Sequence, residues 1–179
     1  MKIAKSADRL LIVTGGAAMS ITNDQCNDRT INWAFDSYSL ANGTVGTMID
    51  QGAKSWYFVV AAYASGHSVL EVATKIIKER GGKVAGSINH PLNTLDFSSF
   101  LLQAQTSQAE VIGLASAGMD TVNAIKQAAE YRISPKQKIA ALAVFISDIH
   151  SLGLPVAQGT VLTSAYYWDR DEDTRAWSQ

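Results

Sequence analysis

The chain has 179 residues, enough for one ordinary α/β domain or two very small ones with a real core. Apolar residues make up 47 % and charged residues 17 %, below the roughly 25 % of a typical soluble domain, so disorder is excluded as the main state. A net charge of -1 at pH 7 argues against a nucleic-acid partner, no apolar run approaches the ~20 residues of a membrane-spanning helix, and the single cysteine, Cys26, excludes an internal disulfide and any multi-cysteine metal site.

Met1 to Lys5 begins like the n-region of a secretory leader. Asp8 and Arg9 interrupt any apolar segment after it, so no signal peptide is read. Leu10 to Val13 reads as a short buried strand ending in the tight turn Thr14-Gly15-Gly16, and Thr30 to Phe35 as a second strand. Ser39 to Gln51 carries Leu40, Val45, Met48 and Ile49 at helical spacing and closes at Gly52, which suits the position just past a helix end. Ser55 to Ala61 is an aromatic and β-branched run, hence a strand. Val69, Val72, Ala73, Ile76 and Ile77 form an apolar stripe that predicts a helix between Gly66 and Gly81.

The alternation continues with a strand at Lys83 to His90, a helix at Phe97 to Gln105 and a strand at Val111 to Ala115. A helix at Met119 to Tyr131, a strand at Ile139 to Phe145, a short helix at Ile146 to Leu152 and a last strand at Gly159 to Tyr166 follow. Asp169 to Asp173 is a solvated charge run or the first turn of a helix continued to Trp177. Strand-helix alternation with short links predicts an α/β fold: a parallel sheet with helices on both faces. Both ends of the chain read as positions inside a larger domain, because the first strand follows no βα unit and the tail closes within a charged helix start.

Open parallel sheets bind ligands beyond the carboxyl ends of their strands, where loops and helix N-termini converge. That rule selects Thr14 to Ala18, Ala62 to Gly66, Ala115 to Asp120 and Phe145 to Asp148. These stretches are rich in small residues and poor in charge. Such loops let backbone N–H groups approach a small polar molecule, with Tyr63 and Phe145 as aromatic walls. Trp56, inside a strand, reads as core.

Other chemistries fit less well. Thr14-Gly15-Gly16-Ala17 after a strand is similar to the glycine-rich turn of short-chain NAD(P) dehydrogenases. Met19 and Ile21 stand where further glycines are wanted, and neither Tyr63 nor Tyr131 opens a Tyr-x-x-x-Lys. His67, His90 and His150 could suggest a hydrolase or a metal centre. The Gly-x-Ser-x-Gly elbow is absent and the histidines are far apart, so they read as hydrogen-bonded loop residues.

The ordered series of segments supports a resemblance. Ala62-Tyr63-Ala64-Ser65-Gly66-His67, then Gly81-Gly82-Lys83-Val84, then His90-Pro91 through Thr94-Leu95-Asp96-Phe97-Ser98, resembles substrate-binding proteins of ABC transporters. The branch is the branched-chain amino-acid (Leu/Ile/Val) receptor type. Residues 109–115, 124–129 and 158–167 are also similar to that family, so the likeness runs from about Leu11 to the C-terminus.

The resemblance implies a periplasmic-binding-protein type I fold: two Rossmann-like lobes that close around a small solute and pass it to a membrane permease. It implies an incomplete first lobe with crossover in residues 1–53, a second Rossmann-like lobe in 54–166, and the start of a crossover helix in 167–179. It further implies a non-enzymatic, periplasmic protein, exported by a signal peptide that this chain lacks, with no cofactor. The implied ligand-binding residues are Gly15, Gly16, Ala17 and Ala18 from the first lobe and Tyr63, Ser65, Ala117 and Phe145 from the second. Ala17 or Ala18 stands where Ser or Thr is usual, Ala62 where Asp is usual, and Ser65 where an aromatic is usual. An aromatic or aliphatic carboxylate therefore stands beside an amino acid as the expected solute. An NAD(P) oxidoreductase and a sensory domain of the same bilobal fold are the other readings. A lone second lobe, its cleft face exposed, would form a homodimer.

Overall fold

The computed structural model describes residues 1–133 and 136–179. Two short parallel strands, β1 (Leu11–Val13) and β2 (Thr30–Asn32), pair with each other, Ile12 opposite Ile31. β1 was expected to be buried, but Ile12 is 54 % exposed and Ile31 40 %. A two-stranded sheet has too few neighbours to cover both of its faces. A helix not foreseen, α1 (Lys2–Ser6), precedes β1; it buries no residue, so no apolar stripe announced it.

Beyond β2 the chain enters α2 (Ser37–Asp50). The Asp36 carboxylate accepts the Ser39 N–H at 2.8 Å, and the Ser39 hydroxyl lies 3.1 Å from the Asp36 N–H, a reciprocal cap that fixes where the helix begins. At its other end Gly52 has φ +97°, a conformation open to glycine at little cost.

The rest forms one layered unit. β3 (Ser55–Ala61), α3 (Ala64–Glu79), β4 (Lys83–His90), α4 (Ser98–Thr106), β5 (Val111–Ala117), α5 (Met119–Glu130), β6 (Lys138–Ala143), α6 (Ile146–Leu152), α7 (Leu154–Ala157) and β7 (Val161–Leu162) follow in order, and α8 (Glu172–Trp177) closes the chain. All five strands of the larger sheet are parallel, in the spatial order β4-β3-β5-β6-β7. Parallel strands need crossover helices, and these lie on both faces, as the alternation predicts. Successive residues of β3 point to opposite sides. Trp56, Phe58 and Val60 pack with Ala41, Val45 and Met48 of α2 and Ala73 and Ile77 of α3. Val59 joins Ile112 and Leu114 against Leu101 of α4 and Val122 and Ile125 of α5. Trp56 is fully buried, as its place in a strand predicts, and α2, from the segment 1–53, packs on the same core as β3.

Two strands of the larger sheet end earlier than expected. β6 stops at Ala143 instead of Phe145, because the Phe145 N–H leaves the ladder and donates to the Asp148 carboxylate at 2.9 Å, opening α6. The last strand was expected over Gly159 to Tyr166 and spans only Val161–Leu162. Thr163 turns its hydroxyl to Thr44 of α2 at 2.8 Å and packs on Gly43, where a Cβ would leave it no room. The unforeseen α7 starts with Leu154-Pro155, and proline is well suited to a first helical turn.

The amino-terminal end of the sheet is bracketed by Glu110. Its carboxylate accepts the N–H groups of Lys54 at 2.5 Å and Ser55 at 3.2 Å, and its own N–H donates to the Ser55 hydroxyl at 3.0 Å. The Lys54 N–H is the main cause that holds this carboxyl below the usual glutamate range. On α4, adjacent leucines have opposite surroundings: Leu101 is fully buried and Leu102 is 59 % exposed. Leu101→Ala is expected to cost about 2–5 kcal/mol, and Leu102→Ala to stay within about 0.5 kcal/mol. Urea unfolding of the two variants checks this, and equal losses would contradict the packing described.

Candidate functional site

β3 is the first strand of the five-stranded sheet in the chain, β4 the second and β5 the third, yet β3 lies between the other two. The connections therefore diverge on either side of β3 and β5. At such a switch point in an open parallel sheet a crevice opens beyond the carboxyl ends of the strands. α3 starts directly above it. Gly66 makes that approach possible, since a Cβ there would collide with the Ala61 carbonyl oxygen and lie 3.1 Å from that of Ala115. The N-terminus of α3 has no side-chain cap and no acidic residue in its first turn, so the positive end of a 16-residue helix faces the crevice.

The opposite wall is the turn after β1. The Ala17 carbonyl accepts both the N–H and the hydroxyl of Ser37, each at 2.7 Å. The Met19 N–H donates to the Ser68 hydroxyl of α3 at 3.2 Å. These bonds tie the turn to the starts of α2 and α3.

Between the two walls lies a cavity of about 50 Å³. Six of the eight residues singled out in the sequence line it: Gly15, Ala17, Tyr63, Ser65, Ala117 and Phe145. The other two do not. At Gly16 a Cβ would press on the Val13 and Ile21 side chains, and Ala18 is buried at the head of a single 3₁₀ turn, Met19–Ile21. That short turn also removes the structural basis for a dinucleotide site, which needs a long helix opening at the glycine turn.

Sequence reasoning missed Phe35, and it reached Ser116 only as part of the stretch Ala115 to Asp120 without singling it out; both line the cavity. Phe35 was assigned to the second strand, but β2 ends at Asn32 and Phe35 precedes the α2 cap, its ring 5.1 Å from that of Phe145 and tilted by 33°. Ser116 fell beyond the expected end of its strand, whereas β5 continues to Ala117. In each case the signal was present as a polar or aromatic residue within three positions of a strand end.

The histidines lie elsewhere. His67 and His150 are exposed residues of α3 and α6, not of loops. His90 is fully buried at the end of β4, with Nδ1 2.8 Å from the Pro91 carbonyl and its ring edge-on to Phe97. A larger cavity, about 480 Å³, lies between α6, α7, the end of β7 and Tyr167, and is walled mainly by Ile146, Leu154 and Leu162.

The crevice supplies backbone and hydroxyl donors, methyl groups and aromatic faces. Tyr63 is the one titratable side chain among its described lining residues. Burial, and secondly the negative charge of Asp120, raise the Tyr63 phenol above its ordinary value of 10.0. The folded state therefore holds this proton more tightly than the unfolded chain, and stability falls as the pH rises from about 10 through the folded-state value. Absorbance titration of the chain and of Tyr63→Phe is expected to differ by one phenol that ionises after the exposed tyrosines. A difference curve centred at or below 10.0 would contradict the burial described.

Comparison with known proteins bears on this arrangement. The model of a family described as periplasmic binding protein matches residues 1–179. The solved structure of a periplasmic binding protein from Burkholderia mallei is 47 % identical, with a TM-score of 0.94 over 99 % of this chain and 48 % of its own. A branched chain amino acid ABC transporter periplasmic ligand-binding protein from Burkholderia xenovorans is 31 % identical, with a TM-score of 0.86 over 98 % of this chain and 47 % of its own. An amino acid ABC transporter substrate-binding protein from Pseudomonas fluorescens is 26 % identical, with a TM-score of 0.89 over 98 % of this chain and 48 % of its own. The chain thus spans about half the length of these structures. A search of curated proteins returned no match.

Proposed function

This chain belongs to the periplasmic binding protein family, and on that premise we propose that it is the solute-binding part of an ABC importer. In this reading it works outside the cytoplasm, takes up a small amino acid or an aromatic or aliphatic carboxylate, and hands it to a membrane permease. It performs no reaction. Relatives of the same fold are an ABC transporter periplasmic ligand-binding protein and a substrate-binding protein, which supports the transport assignment.

One observation carries the reading. The cavity at the switch point lies between the uncapped N-terminus of α3 and the turn 14–18, so donors from two separate sheets converge on it. A carboxylate is the group best suited to that field, because a helix N-terminus favours negative charge. Gly15, Gly16, Ala17 and Ala18 belong to the wall of the first lobe in this reading. Tyr63, Ser65, Ala117 and Phe145 belong to that of the second. Tyr63, Phe35 and Phe145 offer faces for an apolar or aromatic body. At about 50 Å³ the cavity is smaller than such a solute, so binding requires the two walls to part and close again by a hinge motion.

Thermal unfolding with branched-chain amino acids, benzoate, isovalerate and NADP tests the proposal. A ligand that binds only the folded state stabilises it by about 2.7 kcal/mol at a hundredfold excess over Kd. A rise in melting temperature with a carboxylate or amino acid, and none with NADP, is the expected result. A rise with NADP alone would overturn it.

A further inference from the structure

Among the described residues lining the cavity at the switch point, every large side chain but Val69 is aromatic; those besides Phe35, Tyr63 and Phe145 are glycine, alanine or serine. The three rings come from different parts of the fold, yet each sits at the start of a helix. Phe35 directly precedes Asp36, the cap of α2, and its carbonyl accepts from the Asn32 side-chain amide at 3.4 Å. Tyr63 and Phe145 are the cap residues of α3 and α6. The Tyr63 carbonyl accepts the His67 N–H at 3.1 Å, and the Phe145 carbonyl accepts those of Asp148 at 3.0 Å and Ile149 at 3.2 Å. The backbone under each ring is therefore held in place without a solute, so little ordering is left to oppose binding.

The rings of Phe35 and Phe145 lie 5.1 Å apart between centroids and are tilted by 33°. Both residues are half-buried and border the cavity, so neither ring is closed off by the other. Rings attract further rings at centroid separations of about 4.5–7 Å, in offset or edge-on geometries that a saturated group does not reproduce. Thickness acts in the same direction. Seating a flat ring between two faces takes about 7 Å, two carbon contacts of about 3.5 Å each, and a puckered saturated ring takes more. The walls must part from a cavity of about 50 Å³, so the thinner body asks for the smaller opening. We propose that the solute is an aromatic acid whose planar ring packs on Phe35 and Phe145, and that these two residues determine specificity for it. This inference rests on the solute-binding reading given above and narrows it.

Isothermal titration of the whole chain with two matched pairs tests it: benzoate against cyclohexanecarboxylate, and L-phenylalanine against L-cyclohexylalanine. The members of a pair share the carboxylate and differ only in the ring. The saturated ring has at least as much apolar surface to bury, so the hydrophobic effect alone would favour it. The aromatic member is expected to bind about fivefold tighter or more in whichever pair binds. Phe35→Leu and Phe145→Leu, which keep an apolar side chain, are each expected to bring that ratio towards one, whereas a packing role alone would weaken both members equally. A ratio at or below one in the unsubstituted chain, a comparison that needs no variant to fold, would overturn this inference and leave the solute-binding reading standing. A ratio that neither substitution moves, or binding confined to branched-chain amino acids or isovalerate, would do the same. A chain that binds none of these acids would remove both.

Discussion

The site depends on one acceptor atom. The Ala17 carbonyl takes both donors of Ser37, and through that pair of bonds the turn after β1 is fastened to the first residue of α2. Ser37 is fully buried, so its two donors have no water to fall back on and the turn has little freedom to leave. α2 in turn is seated on the large sheet by Ala41, Val45 and Met48. The position of one cavity wall is therefore set by core packing on the other unit. The two-stranded sheet that carries this turn has little core of its own. Its wall inherits rigidity from α2 and from the Met19–Ser68 bond.

Much of the fold was legible because its signals are local and repeated. β3, β4 and α6 have the bounds that apolar runs, glycine punctuation and helical spacing predict, and α3, α4 and α5 agree to within a turn. What escaped was decided by single hydrogen bonds. Thr163 found Thr44, far away in the chain, and the Phe145 N–H found Asp148 in the next turn, a local cap that apolar periodicity does not register. α1 escaped for the opposite reason, since it packs on nothing and has no pattern to show. The site was legible where backbone geometry selects small residues, as at Gly15 and Ala17. It was not legible at Phe35, and at Ser116 only as a stretch, because two or three residues more or less of strand decide where a side chain faces.

The two ends of the large sheet are built on different principles. At the carboxyl end, strand termini, helix starts and loops are held apart by close backbone approach, with Gly66 as the enabling residue. At the amino end, Glu110, Lys54 and Ser55 form a compact bracket of hydrogen bonds within the chain. Ser55 and Ala61 are the two ends of one strand, so the same seven residues run from the bracket to the edge of the candidate site.

That division has a consequence for how acidity is felt. Protonation of Glu110, whose carboxyl is held below its usual range, loosens the bracket at a lower pH than an ordinary glutamate would, at the end of the sheet far from the crevice. The crevice itself is lined by groups that keep one protonation state from acid to neutral conditions, since the Tyr63 phenol ionises only above 10.0. On the solute-binding reading, acid therefore changes the charge of the bracket and of the solute, and of no described side chain that lines the crevice. On that reading, an acid-range dependence of capture is written in the titration curve of the captured molecule and not in the described lining side chains.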